Sequence, residues 1–138
     1  MRVVADTNIV VSGLFWNGYE RRLMDAARDG IIGLVTSPAL LTELQNVLCR
    51  PKFASRLTRK NVEHNFLVEA YSELAEIVAT KPLDTPTSRD PDDDEVLACA
   101  VAGDCEIVVT GDDDLLVVNE FLGIRILTTA QLLAELNL

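Results

Sequence analysis

Seven consecutive residues, Val96-Leu97-Ala98-Cys99-Ala100-Val101-Ala102, carry no polar side chain and directly follow Asp90-Pro91-Asp92-Asp93-Asp94-Glu95. A helix through such a run is apolar on every side, so it belongs in an interior, and the position of its first turn is fixed there. Carboxylates at a helix start are ordinary. Asp accepts from free N–H groups and suits the positive end of the dipole, each effect being about 0.3 to 1 kcal/mol. Four Asp and one Glu exceed that need. Like charges about 4 Å apart repel by roughly 4 kcal/mol at an effective dielectric of 20, so acids crowded at a buried helix end require cations, protons or open water.

The rest of the chain alternates strand and helix patterns. Val3 to Ala5 is a short apolar run ending in the polar turn Asp6-Thr7-Asn8; it reads as a buried strand. Ile9 to Val11 lead through Gly13 and Gly18 to a helix of roughly Tyr19 to Asp29, stopped by Gly30. Ile31 to Thr36 is a second strand candidate, and Ser37-Pro38 follows with a cap residue and a proline at the first helical position. On the helix from Pro38 to Cys49, Leu40, Leu41, Leu44, Val47 and Leu48 share one arc, with Glu43 on its edge. Pro51 breaks this helix. A basic strip then bridges to a helix of roughly Arg59 to Leu74, whose apolar face is Val62, Phe66, Leu67, Ala70, Tyr71 and Leu74. Ile77 to Ala79 reads as a short strand and Lys81 to Ser88 as a surface connection. Beyond Gly103, Glu106 to Thr110 is the clearest strand, ending at Gly111-Asp112-Asp113-Asp114. A helix of roughly Asp114 to Phe121, a strand Ile124 to Leu127 and a last helix to Leu136 complete the chain. Such alternation predicts a three-layer α/β/α fold around a central, mainly parallel sheet of four to five strands, as a single domain over 1–138.

No stretch approaches the roughly 20 apolar residues of a membrane span, and the N-terminus meets Asp6 too early for a signal peptide, so no membrane partner and a cytoplasmic location are expected. Three unpaired cysteines and one histidine, His64, argue against zinc, disulfide, Ser-His-Asp and Cys-His chemistry. The net charge of −10 is the wrong sign for bulk electrostatic binding of nucleic acid. Yet Arg50, Lys52, Arg56, Arg59 and Lys60 place five of the twelve basic residues within eleven positions, a local strip suited to phosphate.

In an open parallel sheet, sites form outside the carboxyl ends of the strands. Asp6 and Asp112 each follow a strand, Glu43 lies on the helix after one, and Asp94 opens the helix that feeds another. These four acids can share one edge. Asp94 falls with Leu97, Ala98 and Val101 on one helix face, which makes it the acid of its run expected to be held against the core. Oxygen ligands without His or Cys suit Mg²⁺ or Mn²⁺. A calcium loop fails: counted from Asp90, the sixth position is Glu95 where Gly is required, and the twelfth is Val101 where Glu is required. A carboxylate-bound ion that meets phosphate points to hydrolysis of a phosphodiester.

Asp6-Thr7-Asn8 after a first strand, Glu43 beyond Ser37-Pro38, Asp94 with Leu97-Ala98, and Thr110-Gly111-Asp112 with Asp114 resemble the PIN-domain nucleases, in order and spacing over nearly the whole chain. Val47-Leu48 with Arg50-Pro51-Lys52-Phe53, and Asp90-Pro91-Asp92-Asp93-Asp94, are similar to the VapC-like subgroup described as toxin components of toxin–antitoxin systems. The resemblance implies a metal-dependent ribonuclease with Asp6, Glu43, Asp94 and Asp112 as its catalytic acids. Asp114 would be an additional metal ligand, and Asn8, Ser37 and Thr110 would be hydrogen-bonding supports around them. It further implies an RNA substrate, a cognate antitoxin and a homodimer. One departure is Leu115-Leu116, where many relatives carry an aromatic.

Arg50, Lys52, Arg56 and Arg59 are the candidate RNA contacts. The alternative is a non-cleaving PIN-like module that binds RNA or protein; completeness of the four acids favours the enzyme. A phosphoacceptor-Asp domain needs a lysine after a later strand, and Lys81 is the last lysine in the chain.

Overall fold

The computed structural model describes residues 1–60, 63–84 and 91–138. Six strands form one sheet: β1 (Arg2–Ala5), β2 (Gly33–Thr36), β3 (Glu76–Ile77), β4 (Ile107–Val109), β5 (Glu120–Phe121) and β6 (Ile124–Leu127). Their order is β3-β2-β1-β4-β6-β5, parallel throughout except for the antiparallel pair β5 and β6. Among the described residues eight helices accompany them: α1 (Thr7–Phe15), α2 (Tyr19–Arg28), α3 (Pro38–Leu48), α4 (Pro51–Lys60), α5 (His64–Leu74), α6 (Pro91–Ala102), α7 (Asp113–Leu116) and α8 (Thr129–Glu135).

Strand side chains alternate between faces, and both faces are covered. Val3, Ala5, Leu34, Ile107 and Val109 pack with buried residues of α1, α2, α3, α5 and α8. Val4, Val35, Val108 and Ile126 pack with Val96, Leu97, Cys99 and Ala100 of α6 and with Leu115 of α7. This is the three-layer, mainly parallel arrangement that the alternation of patterns implies. The sheet gains a sixth strand at its edge, because the stretch expected as one helix to Phe121 ends at Leu116. Asn119 and Leu122, both at positive φ, and Gly123 at +83° turn the chain back through β5 instead. No described helix is long and apolar enough to cross a membrane.

Two further expectations are corrected. Asp6 to Gly18 is not a loop leading to a helix: α1 starts at Thr7, immediately after β1. Its β-branched residues Ile9, Val10 and Val11 favour strands intrinsically, but all three are buried in the core, and packing overrides propensity. The basic strip is likewise no bridge, since Pro51 stands at the first position of α4. There its ring costs the helix nothing. Phe53 is buried and Leu57 half-buried, while Lys52 and Arg59 face water. The expected helix from Arg59 becomes α5, on which Tyr71 is buried but Phe66 is 60% exposed. Val62, Asp90 and the second half of the surface connection, 85–88, lie outside the described residues.

Gly13 fits α1 closely against α2. A Cβ there would stand 2.9 Å from Met24 Cγ and 3.0 Å from the Glu20 carbonyl oxygen. Alanine would add about 1 kcal/mol of helix propensity. Overpacking against a backbone atom costs about 1–3 kcal/mol. Gly13→Ala is therefore expected to lower stability, read as a lower urea midpoint at unchanged slope.

Candidate active site

The sheet reverses its direction of growth at β1. Strand β2 lies on one side and β4 on the other, so the crevice between β1 and β4 opens at the carboxyl end of both. Val4 pairs with Val108 and Ala5 with Val109, which brings the residues that follow each strand side by side. The Asp6 backbone N–H donates to the Val109 carbonyl at 2.9 Å. Thr110 then links the two segments: its hydroxyl donates to Asp6 Oδ2 at 2.8 Å and accepts from the Asp112 backbone N–H at 3.0 Å. Asp112 caps α7, its Oδ1 accepting from the Asp114 N–H at 2.9 Å. Asp6, Thr110, Asp112 and Asp114 thus form one connected chain of hydrogen bonds.

One carboxylate oxygen each from Asp93, Asp112 and Asp114 lie within 4.8 Å of one another. Asp93 is buried at 5% exposure, Asp112 is half-buried and Asp114 exposed, so the group runs from the interior to solvent. At that spacing each pair of like charges opposes the other by about 3.5 kcal/mol at an effective dielectric of 20. The donor set is oxygen alone, which fits a hard divalent cation keeping part of its water shell.

The acid brought inward from the run at the start of α6 is Asp93, one position before the one expected from the sequence. Three and four residues after Asp93 come Val96 and Leu97, then Ala100, all at most 1% exposed. Asp94 was assigned to the face of Leu97, Ala98 and Val101, but Val101 is 42% exposed and Asp94 only half-buried. A run that is apolar on all sides conceals which side faces the sheet. Asp93 could have been found by noting that its face continues to Ala100, the one that does not end at the surface.

Glu43 is half-buried on α3 between the buried Leu40, Leu44 and Val47, and α3 packs on α6. Among the described residues, Asp6, Glu43 and Asp94 stand outside the three-carboxylate group. Ser37 is fully buried and its hydroxyl caps α3, accepting from the Leu40 N–H at 3.3 Å. Asn8 is exposed on the first turn of α1. Arg50 is exposed in the turn after α3, while Lys52, Arg56 and Arg59 lie on α4.

Burial pushes the Asp6 carboxyl above its ordinary 3.8; the Thr110 hydroxyl opposes this and the Asp112 charge adds to it. The unfolded chain therefore loses this proton at lower pH than the native one. Between the ordinary value and the raised one, the native state holds more protons, so stability falls as pH rises through that window. In chelator, wild type should lose stability relative to Asp6→Asn as pH rises from the ordinary value through the raised one, as measured by urea unfolding. A difference of opposite slope would contradict the burial of Asp6.

A family model described as PIN domain matches residues 2–114. Among solved structures, a chain of the crystal structure of VapBC2 from Rickettsia felis bound to a DNA fragment from their promoter is similar at TM-score 0.59 and 15% identity, over 91% of this chain and 97% of that one. The structure of the T. brucei RRP44 PIN domain aligns at TM-score 0.49 and 15% identity, over 98% of this chain and 80% of that one. No curated protein matches by sequence.

Proposed function

Because the chain belongs to the PIN-domain family, we propose that it is a divalent-metal-dependent endoribonuclease, and the toxin of a toxin–antitoxin pair. The observation that carries the nuclease reading is the trio of Asp93, Asp112 and Asp114 carboxylates at the crevice between β1 and β4. They are the residues that would hold Mg²⁺ or Mn²⁺. When bound, such an ion lowers the pKa of a water and offsets charge on the phosphate.

The chain's own contribution is to fix these oxygens before substrate arrives. Thr110 holds Asp6 and the Asp112 segment in register through its single hydroxyl. Asp6, with its pKa raised by burial, binds a proton more strongly than an exposed carboxylate and would accept one near the attacked phosphate. Glu43 and Asp94, both half-buried, complete the acidic lining from α3 and α6. Arg50, Lys52, Arg56 and Arg59 take flanking phosphates, which an acidic cleft alone would repel. Asn8 and Ser37 support the turns that follow β1 and β2.

In this reading 1–138 is one PIN domain that acts as a homodimer. An antitoxin that inserts a basic side chain among the carboxylates would restrain it; the family resemblance and the paired assembly named for the R. felis structure support this part.

The deciding experiment incubates purified protein with total RNA and defined oligonucleotides, with Mn²⁺ or with chelator. Cleavage that requires the metal supports the reading. Binding without cleavage at saturating Mn²⁺ would leave the non-cleaving module. Growth arrest on expression, relieved by a neighbouring gene product, tests the toxin role separately.

A further inference from the structure

The far end of α1 carries a different surface. Phe15 and Phe53 stack with centroids 5.3 Å apart and planes 8° apart, both buried, and so clamp α4 to α1. Trp16 meets the edge of Phe15 at 5.8 Å and 76°, yet remains 40% exposed. The Arg56 guanidinium lies 4.3 Å from the Trp16 ring centroid, and the Lys52 ammonium lies 5.0 Å from that of Phe53. Tyr19, 54% exposed, has Arg22 at 5.6 Å. Among the described residues no acid forms an ion pair with Arg22, Lys52, Arg56 or Arg59, although the chain carries a net charge of −10.

Core packing accounts for Phe15 and Phe53. It leaves unexplained a part-exposed indole and a row of cations that have no acidic partner among the described residues. An apolar protein surface seated here would have to desolvate those cations without compensation. Single-stranded nucleic acid supplies both complements: a base offers a π face to indole and guanidinium, and its phosphates meet the ammonium and guanidinium groups.

We infer that Trp16 and Arg56 form a stacking platform for a base of single-stranded RNA, with Lys52 and Arg59 receiving the adjoining phosphates. The inference rests on the ribonuclease reading for the choice of RNA. Ten residue steps along α1 separate Trp16 from Asp6, about 15 Å. At roughly 3.4 Å per stacked nucleotide that is about four nucleotides. The platform would therefore hold a substrate several nucleotides from the cleaved bond and select for strand length and single-strandedness.

Trp16 is the sole tryptophan, so intrinsic fluorescence reports on the platform directly. The test titrates protein in chelator with an oligouridylate and an oligoadenylate of about ten nucleotides, long enough to cover a typical single-strand site. An abasic ribose-phosphate oligomer and a blunt RNA duplex are the controls. Quenching by the single strands, with affinity roughly tenfold or more above the abasic oligomer, is expected. Arg56→Ala should weaken both, and Arg56→Lys should restore phosphate attraction without the stacking. In the cleavage assay with Mn²⁺, Trp16→Ala should raise KM about tenfold for long single strands and leave it unchanged for substrates under about four nucleotides, with Trp16→Phe intermediate.

Equal binding of the abasic oligomer, preference for the duplex, or unquenched Trp16 at saturating RNA would overturn the platform. Quenching by RNA with no cleavage in Mn²⁺ would refute the ribonuclease reading alone. Cleavage of long single strands with Trp16 silent would refute the platform alone.

Discussion

Asp93→Asn should reduce RNA cleavage about 10³-fold while leaving the protein folded. The substitution keeps the size of a side chain that is 5% exposed and removes one of three carboxylates within 4.8 Å of one another. An ion held by two carboxylates instead of three loses several kcal/mol of charge stabilisation in the transition state, and each 1.36 kcal/mol is tenfold in rate. Mn²⁺ should raise the melting temperature of wild type by mass action and that of the variant much less. Asp94→Asn is the decisive control, since its carboxylate stands outside the trio, and a smaller loss is expected. Wild-type cleavage by Asp93→Asn beside an inert Asp94→Asn would return the assignment to the face read from the sequence.

The second large effect lies one turn into the same helix. Leu97 is fully buried between α6 and the sheet, four residues after Asp93. Leu97→Ala removes its packed methyl groups and leaves a cavity, which costs about 3 kcal/mol within a typical range of 2–5. Val101→Ala, on the 42% exposed side of the helix, should change stability by no more than about 0.5 kcal/mol. Equal losses at the two positions would mean that α6 is buried on all sides, as the bare sequence suggests. A weaker Mn²⁺-induced stabilisation is also expected in Leu97→Ala, since the cavity would loosen the packing of the helix that carries Asp93.

Much of this organisation is readable from residue pattern because the central strands, covered on both faces, are short unbroken apolar runs. Val3, Val4 and Ala5 read as a buried strand and sit between β2 and β4. Ser37-Pro38 marks the start of α3 by its cap and proline, and Ser37 does accept the Leu40 N–H. Three features resist such reading for separate physical reasons. Ile9, Val10 and Val11 have strand-like propensity, and only the tertiary environment makes them helical. The seven-residue apolar run of α6 has no polar side to give its rotation, so the residue pattern points to Asp94 where the three-carboxylate group contains Asp93. The pairing of Trp16 with Arg56 joins residues forty positions apart through two helices and leaves no local periodic signal.

Thr110 reaches Asp6 across 104 positions of chain, because β4 inserts beside β1 only after two other strands and the intervening helices have been made. During synthesis at about 5–20 residues per second, the amino-terminal acid waits several seconds before its counterpart emerges from the ribosome. A nascent chain shorter than about 110 residues lacks two of the three clustered carboxylates and the hydroxyl that aligns them. In the ribonuclease reading, the metal-holding group is therefore complete only once residue 114 has been added to the chain.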